Sequence, residues 1–434
     1  MKQWCKFVLV MALSAALYAQ QPAPAAAPKP QRVAIHAGRL LDVRSGKVTP
    51  DAFVVVEGER IASIGTAAPE GVPVIDLSRQ TVMPGFVDVH VHLLTDWKDL
   101  SSASGLRTSS PEGALWGLHN MQTYLGEGFT TLRDAGEDDL NYGQLALRDF
   151  VNKGIFPGPR LQSAGNFISI TGGHGDFDSL APDYEMPRRP NIADNVDEMG
   201  PAVRRDLKYG ADWIKLMASG GVMDPFSDFN VQELSEEQMA KAVEIAHRAR
   251  RHVMAHAEGT PGIKAAAQAG VDSIEHGTML DEETATIMEQ KGIWLVPTLH
   301  TFQRGVDQTA VTAGIDPVSL AKGRAILKYQ GPAFTIALKH HLKIALGDDD
   351  DPDYAAQEFV SLVKGGMTPL QALQAGTING ATLLGWQDQI GTIEPGKFAD
   401  IVAMDGDPAQ DITQVTKVVF VMKGGKIYKG AEAK

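Results

Sequence analysis

The chain has 434 residues, enough for one large domain or two ordinary ones, and at 44% hydrophobic and 21% charged it has the composition of a folded globular protein. Its formal net charge of −13 argues against a nucleic-acid partner, because phosphate binding needs a basic surface. The same charge says little about small or peptide substrates, whose sites can differ in sign from the surface as a whole.

Lys2 and Lys6 accompany an apolar run from Phe7 to Leu17, and Leu17-Tyr18-Ala19 ends on the small residue a signal peptidase prefers. Residues 1–19 are therefore expected to be a signal peptide, cleaved near Ala19 to release a secreted or periplasmic protein. The apolar run is well short of the ~20 residues needed to span a bilayer, so no membrane association is expected after cleavage. Cys5 is the one cysteine and precedes the apolar run, where a lipoprotein would need it afterwards. Cleavage leaves a mature chain without disulfide or thiol chemistry. Residues 20–31 (QQPAPAAAPKPQ) read as an extended Pro/Ala-rich linker.

From 32 to 82 the pattern is short and β-like. Phe53-Val54-Val55-Val56, the polar turn Glu57-Gly58-Glu59-Arg60 and Ile61-Ala62-Ser63-Ile64 give a hairpin signal. Residues 390–430 repeat this character in Ile401–Met404 and Val418–Met422. Two β-rich ends predict a small β-sandwich domain built from both termini. Between them, residues 83–389 alternate apolar runs with amphipathic segments such as Glu236–Arg251 and Pro261–Ala269. Strands are expected near Phe86–His92, Thr130–Asp134, Arg160–Ala164, Trp213–Met217, His252–His256, Ser273–His276, Trp294–Thr298 and Ile344–Asp349. Eight strands alternating with helices fit an α/β fold, a (β/α)8 TIM barrel, whose active site lies at the C-terminal strand ends.

Those ends carry the chemistry. Alternation on the first strand turns Asp88, His90 and His92 towards the barrel axis and Val87, Val89 and Val91 towards the helices. His256 and His276 each end another strand. Lys215, in Trp213-Ile214-Lys215-Leu216-Met217, is flanked by apolar residues that predict burial, and a bare buried ammonium is costly. It must lose its charge, pair with a carboxylate, or react with carbon dioxide to give a carbamate. In Ile344-Ala345-Leu346-Gly347-Asp348-Asp349, alternation points the small residues and Asp349 inward and Asp348 outward. His174, in a Gly-rich loop after the third strand, either contacts a substrate carbonyl or carboxylate or has no role. His300 is a weaker candidate of the same kind. The long stretch 177–195 forms either a lid or an oligomer contact.

The segments MPGFVDVHVH, GFTTLRDAG, GADWIKLMASGGV, HAEG, SIEHG, KIALGDDD and IGTIEPGKFADIVAMDGDP resemble the amidohydrolase superfamily. The resemblance is to its branch of Xaa-Pro dipeptidases and carboxypeptidase-like enzymes, which includes amidases that hydrolyse ochratoxin. It covers Arg32 to Lys429. It implies that His90 and His92 bind one metal ion, His256 and His276 a second, and that Lys215 bridges the two as a carbamate. Asp349 then binds the first metal and serves as catalytic acid/base. The implied cofactor is two zinc ions, which suit imidazole and carboxylate ligands. The implied reaction is attack of metal-activated hydroxide on an amide or peptide bond next to a free carboxylate, in a homo-oligomer. The branch's usual Gly-Thr-Asp is Gly347-Asp348-Asp349 here, which adds a negative charge beside the site. Two other readings compete. One is a one-metal cyclic-amide hydrolase of imidazolonepropionase type, against which the Lys215 segment argues. The other is a secreted binding protein without activity, against which the complete ligand set argues.

Overall fold

Antiparallel pairing begins at the N-terminal end, where β1 (Arg32–Leu41) pairs with β2 (Val48–Glu57) and β2 turns into β3 (Arg60–Gly65). This is a computed structural model, and it describes residues 31–430 except 102, 177–179, 182, 185–186 and 307–312. The expected signal peptide, the linker up to residue 30 and parts of the 177–195 stretch lie outside the described residues. Glu57 faces Arg60 across the hairpin, and Gly58 supplies the positive φ of 60° that so short a turn requires. β4 (Val74–Pro84) then lies parallel to β1.

Next come β5 (Phe86–Val91), β6 (Phe129–Asp134), β7 (Arg160–Ile168), β8 (Trp213–Met217), β9 (His252–Ala257), β10 (Ser273–His276), β11 (Trp294–Val296) and β12 (Lys343–Ile344). They pair in sequence order into one eight-stranded parallel sheet, with helices in the connections. Two backbone bonds, Val89 N–H to Leu346 O and Asp349 N–H to His90 O, both 2.9 Å, join β5 to the segment after β12. β13 (Ile401–Met404), β14 (Val418–Lys423) and β15 (Lys426–Lys429) return to the terminal sheet. The termini do share a β unit, hydrogen-bonded as one mixed seven-stranded sheet. β13 pairs directly with β4, and one buried core takes side chains from β1 to β4 and from β13 and β14. Among the described residues no helix is long and apolar enough to cross a membrane.

Alternation along the parallel strands sorts side chains between two cores. Ile214, Leu216, Val253, Ala255, Ile274 and Leu295 join the large cluster built with the helices, each such burial stabilising by about 1.5–3 kcal/mol for the larger side chains. Trp213, Met254, Val296 and Ala345 form a separate cluster on the inner face of the sheet. β5 departs from the expected parity. Val87 and Val89 belong to this inner cluster, while Asp88 bonds Asp348. The cause is a break in the β5–β6 register between Asp88 and Val91, where Asp88 Oδ1 accepts the His90 N–H at 2.9 Å. Two strands are also shorter than expected. β11 stops before Pro297, which has no N–H to donate to a ladder. After β12 only the Ala345 N–H still donates to β11, at Leu295 O, and beyond it the backbone bonds to Ala375 O and His90 O.

One buried carboxyl on the outer side gives a test of the packing. Asp206 is 2% exposed, accepts the Tyr142 hydroxyl at 2.9 Å, and approaches Gly165 so closely that a Cβ there would lie 2.2 Å from it. Burial lifts its pKa to about 7. A pKa raised on folding means that the folded state keeps a proton the unfolded chain loses near pH ~4. The stability it confers is complete below that point and is lost as pH rises to about 7. Asp206→Asn keeps the acceptor and removes the titration. Between pH 5 and pH 8 the wild type is expected to lose roughly 2–3 kcal/mol more stability than the variant. Denaturant titrations of both proteins measure this, and equal losses would contradict it.

Candidate metal centre

The strand ends bring His90, His92, Lys215, His256, His276 and Asp349 together. The imidazole rings form a row, with centroids 5.3 Å apart for His92–His90, 5.1 Å for His90–His276 and 4.7 Å for His276–His256. Lys215, 1% exposed on β8, lies within electrostatic reach of all four rings and of Asp349. His276 ends β10 and Asp349 lies five residues past β12, and both take left-handed φ values, of 69° and 52°.

The hydrogen bonds settle which ring atoms face the centre. Glu275 accepts from His90 Nδ1 at 2.7 Å and also receives the Arg133 guanidinium at 2.9 and 3.0 Å. The Gly136 carbonyl, which can only accept, takes His92 Nδ1 at 2.8 Å. Both protons therefore sit on Nδ1, and both Nε2 lone pairs point at Asp349 Oδ1, at 3.7 Å from His90 and 3.4 Å from His92. Two unprotonated nitrogens converge on one carboxylate oxygen, and buried His90 Nε2 has no hydrogen-bond partner. A cation satisfies that arrangement, and the donor atoms lie within 4.8 Å of one another. His256 and His276 are the donors beside it. His276 Nδ1 bonds Thr298 Oγ1 at 2.7 Å and lies 4.0 Å from Asp349 Oδ2.

Electrostatics prepare the same atoms. Burial, reinforced by Lys215, pushes His92 down to about 3 and holds His90, His256 and His276 well below the ordinary range, so all four stay neutral with lone pairs available. Burial brings Lys215 down to about 8 against the pull of Glu275 and Asp349. Burial also lifts Asp349 to about 7, opposed by Lys215.

Asp348 turns away from the centre, as alternation predicts. It is buried and takes the Tyr124 hydroxyl on both carboxylate oxygens at 3.1 Å, with Asp88 as its other neighbour. Burial, then the nearby Asp88 charge, keeps its carboxyl well above the usual range.

His174 lies beside the row, its ring 4.4 Å from that of His256, with Nδ1 at 2.5 Å from Asp224 Oδ2. Glu233 accepts the His174 backbone N–H, and Lys322 Nζ lies 3.9 Å from Asp224. Glu258, two residues past His256, is 1% exposed, and burial lifts its carboxyl to about 8. His300 sits on the helix Leu299–Arg304 with its backbone N–H donating to Glu358 at 2.7 Å. Glu275, Arg133, Asp224 and Glu258 escaped the sequence reading. Glu275 had one usable signal, an acid inside a buried strand beside His276. The others depend on loop shape or on partners far away in the chain.

Comparison with known proteins bears on the centre. The model of the amidohydrolase family matches residues 81–428. Ochratoxinase from Aspergillus niger is 33% identical over 91% of this chain and 86% of its own. Imidazolonepropionase from Micrococcus luteus is 25% identical over 84% of this chain and 90% of its own. Among solved structures, a Xaa-Pro dipeptidase with methionine bound in its active site superposes with a TM-score of 0.87 at 32% identity, covering 92% of this chain and all of that one.

Proposed function

Since the chain belongs to the amidohydrolase family and is a hydrolase of carbon–nitrogen bonds, we propose that it cleaves an amide or peptide bond next to a free carboxylate at a two-metal centre. The substrates in this reading are dipeptides and N-acyl amino acids, including ochratoxin-like amides. The observation that carries it is the convergence of His90 Nε2 and His92 Nε2 on Asp349 Oδ1, with buried His90 Nε2 left without a hydrogen-bond partner. His90, His92 and Asp349 would hold one zinc ion, His256 and His276 a second, and Lys215 would bridge them as its carbamate. A lysine whose pKa is brought down to about 8 has neutral amine to react with carbon dioxide, which supports that assignment. The two backbone bonds between β5 and the segment after β12 support taking the parallel sheet as a closed barrel.

Bound there, divalent cations lower the pKa of water and polarise a carbonyl. The chain's own residues do the rest. Asp349, with its pKa lifted to about 7, takes a proton from the attacking water on Oδ and passes it to the leaving nitrogen. Glu275 and Gly136 hold the two imidazoles in one tautomer, so their Nε2 atoms keep facing the centre. His174, steadied by Asp224, stands where a substrate carbonyl or carboxylate would be gripped. Residues 1–19 remain our candidate signal peptide, which N-terminal sequencing of the exported protein would test.

The experiment is to strip the protein with a chelator, titrate zinc back and assay Xaa-Pro, Xaa-Phe and N-acyl-phenylalanine substrates. Activity is expected to return over about two equivalents of zinc. Return over about one equivalent, with preference for a cyclic amide, would favour the imidazolonepropionase-like alternative. No return with any substrate would sink the hydrolytic reading of the site.

A further inference from the structure

A second group of donor atoms lies at the other pole of the parallel sheet. His247 is in the last turn of the helix Glu236–Arg248, His252 opens β9, and Asp272 immediately precedes β10. His247 Nε2 is 2.9 Å from Asp272 Oδ2, and His252 Nδ1 is 3.0 Å from Asp272 Oδ1. All three donor atoms lie within 4.8 Å of one another. The carboxylate is fixed from behind, because the Val253 N–H donates to Oδ2 at 2.8 Å and the Asp272 N–H donates to Val253 O at 2.8 Å. The His252 ring is steadied against Trp213, with centroids 4.9 Å apart. The group opens onto a cleft of about 420 Å³ lined also by Lys291 and Trp294.

We propose that His247, His252 and Asp272 form an accessory site for a divalent transition-metal ion, separate from the catalytic centre. Two imidazole nitrogens and one carboxylate oxygen are donors that zinc, nickel and copper take in preference to calcium or magnesium, which favour all-oxygen shells. A tetrahedral ion with bonds of ~2.0–2.1 Å spaces its ligand atoms roughly 3.3 Å apart. The 2.9 and 3.0 Å separations run to the two different carboxylate oxygens, so a set with one carboxylate oxygen closes by drawing one imidazole nitrogen in from within 4.8 Å. With the ion bound, each neutral ring carries its one proton on the nitrogen turned away from it, so that the nitrogen now facing Asp272 offers a lone pair. Three protein ligands leave a coordination position facing the cleft, where Lys291 favours an anionic fourth ligand such as a carboxylate. The site ties a helix end to two strand starts, so occupancy braces the fold. His247 and His252 are 44% and 52% exposed in their side chains, so the site is weaker than the buried centre and fills after it.

The test is metal analysis of the full chain after equilibrium dialysis against zinc in excess of catalytic need, comparing wild type with His247→Gln and His252→Ala. The wild type is expected to hold about one zinc ion per chain more than either variant, with hydrolysis rates alike in all three. Excess zinc should also raise the Tm of the wild type and not of the variants. Equal zinc content in the three proteins overturns the proposal, and so does a zinc-dependent rise in Tm that survives both substitutions. His247 sits at an exposed helix end, so His247→Gln folds even if His252→Ala weakens the contact with Trp213. The readout is a difference in metal content between variants, so it stands or falls independently of the amide-hydrolysing reading.

Discussion

Lys215→Ala is expected to lower kcat/KM by about 10³-fold or more, equivalent to ~4 kcal/mol of transition-state stabilisation. Changing a group that merely orients a metal ligand typically costs about 10–100-fold, and a residue that itself joins two ions should cost more. The alternative role, an interior ion pair with Glu275, makes a different prediction. Arg133 already satisfies Glu275 with two bonds, at 2.9 and 3.0 Å, so loss of the lysine would leave that carboxylate paired and catalysis little changed. Steady-state kinetics of the zinc-loaded variant separate the two, with circular dichroism confirming the fold. Turnover near that of the wild type would refute the bridging role.

The second large effect distinguishes adjacent aspartates. Asp349→Asn is expected to lose about 10²–10⁴-fold in kcat, the usual worth of a positioned general acid/base. Asp348→Asn should lose under about 10-fold, because an amide oxygen can still accept the Tyr124 hydroxyl and the side chain does not face the centre. Both variants are close in size to the wild type, so the order of their effects reports chemistry more than packing. If Asp348→Asn were the slower enzyme, the proton transfer assigned to Asp349 would be wrong.

Strand order, and the row of donors at the strand ends, were legible because both follow from local pattern. Lys215 and His256 sit where strict alternation puts them, Asp349 faces the centre as expected although its own φ of 52° is left-handed, and β8 and β10 have the very bounds expected from their apolar runs. β5 was misread at Asp88, Val87 and Val89. A register break is set by hydrogen bonds between strands, and a two-residue periodicity carries no trace of it. The bond from Arg133 to Glu275 links residues 142 apart, and each alone reads only as a charge in an apolar strand. His174 and Asp224 lie in loops, which have no period from which a direction could be inferred. The sheet shared by the two termini was visible as composition, but its continuity depended on β13 choosing β4 as neighbour.

The left-handed residues at the strand ends also bear on how this centre can vary. His276, Thr298 and Asp349 lie beyond or at the ends of β10, β11 and β12 with φ of 69°, 45° and 52°. Asparagine and aspartate visit that conformation at modest cost, whereas β-branched residues pay ~1–2 kcal/mol or more. A saturation library at positions 276 and 349 would therefore be filtered by backbone shape before donor chemistry is sampled at all. Survivors there would be enriched in glycine and asparagine, residues that preserve the bend while discarding the ligand. At His90 and His92, φ is not positive, so the same library would read donor chemistry alone. The two halves of one centre thus have different mutational neighbourhoods, one bounded by geometry and the other by the ion.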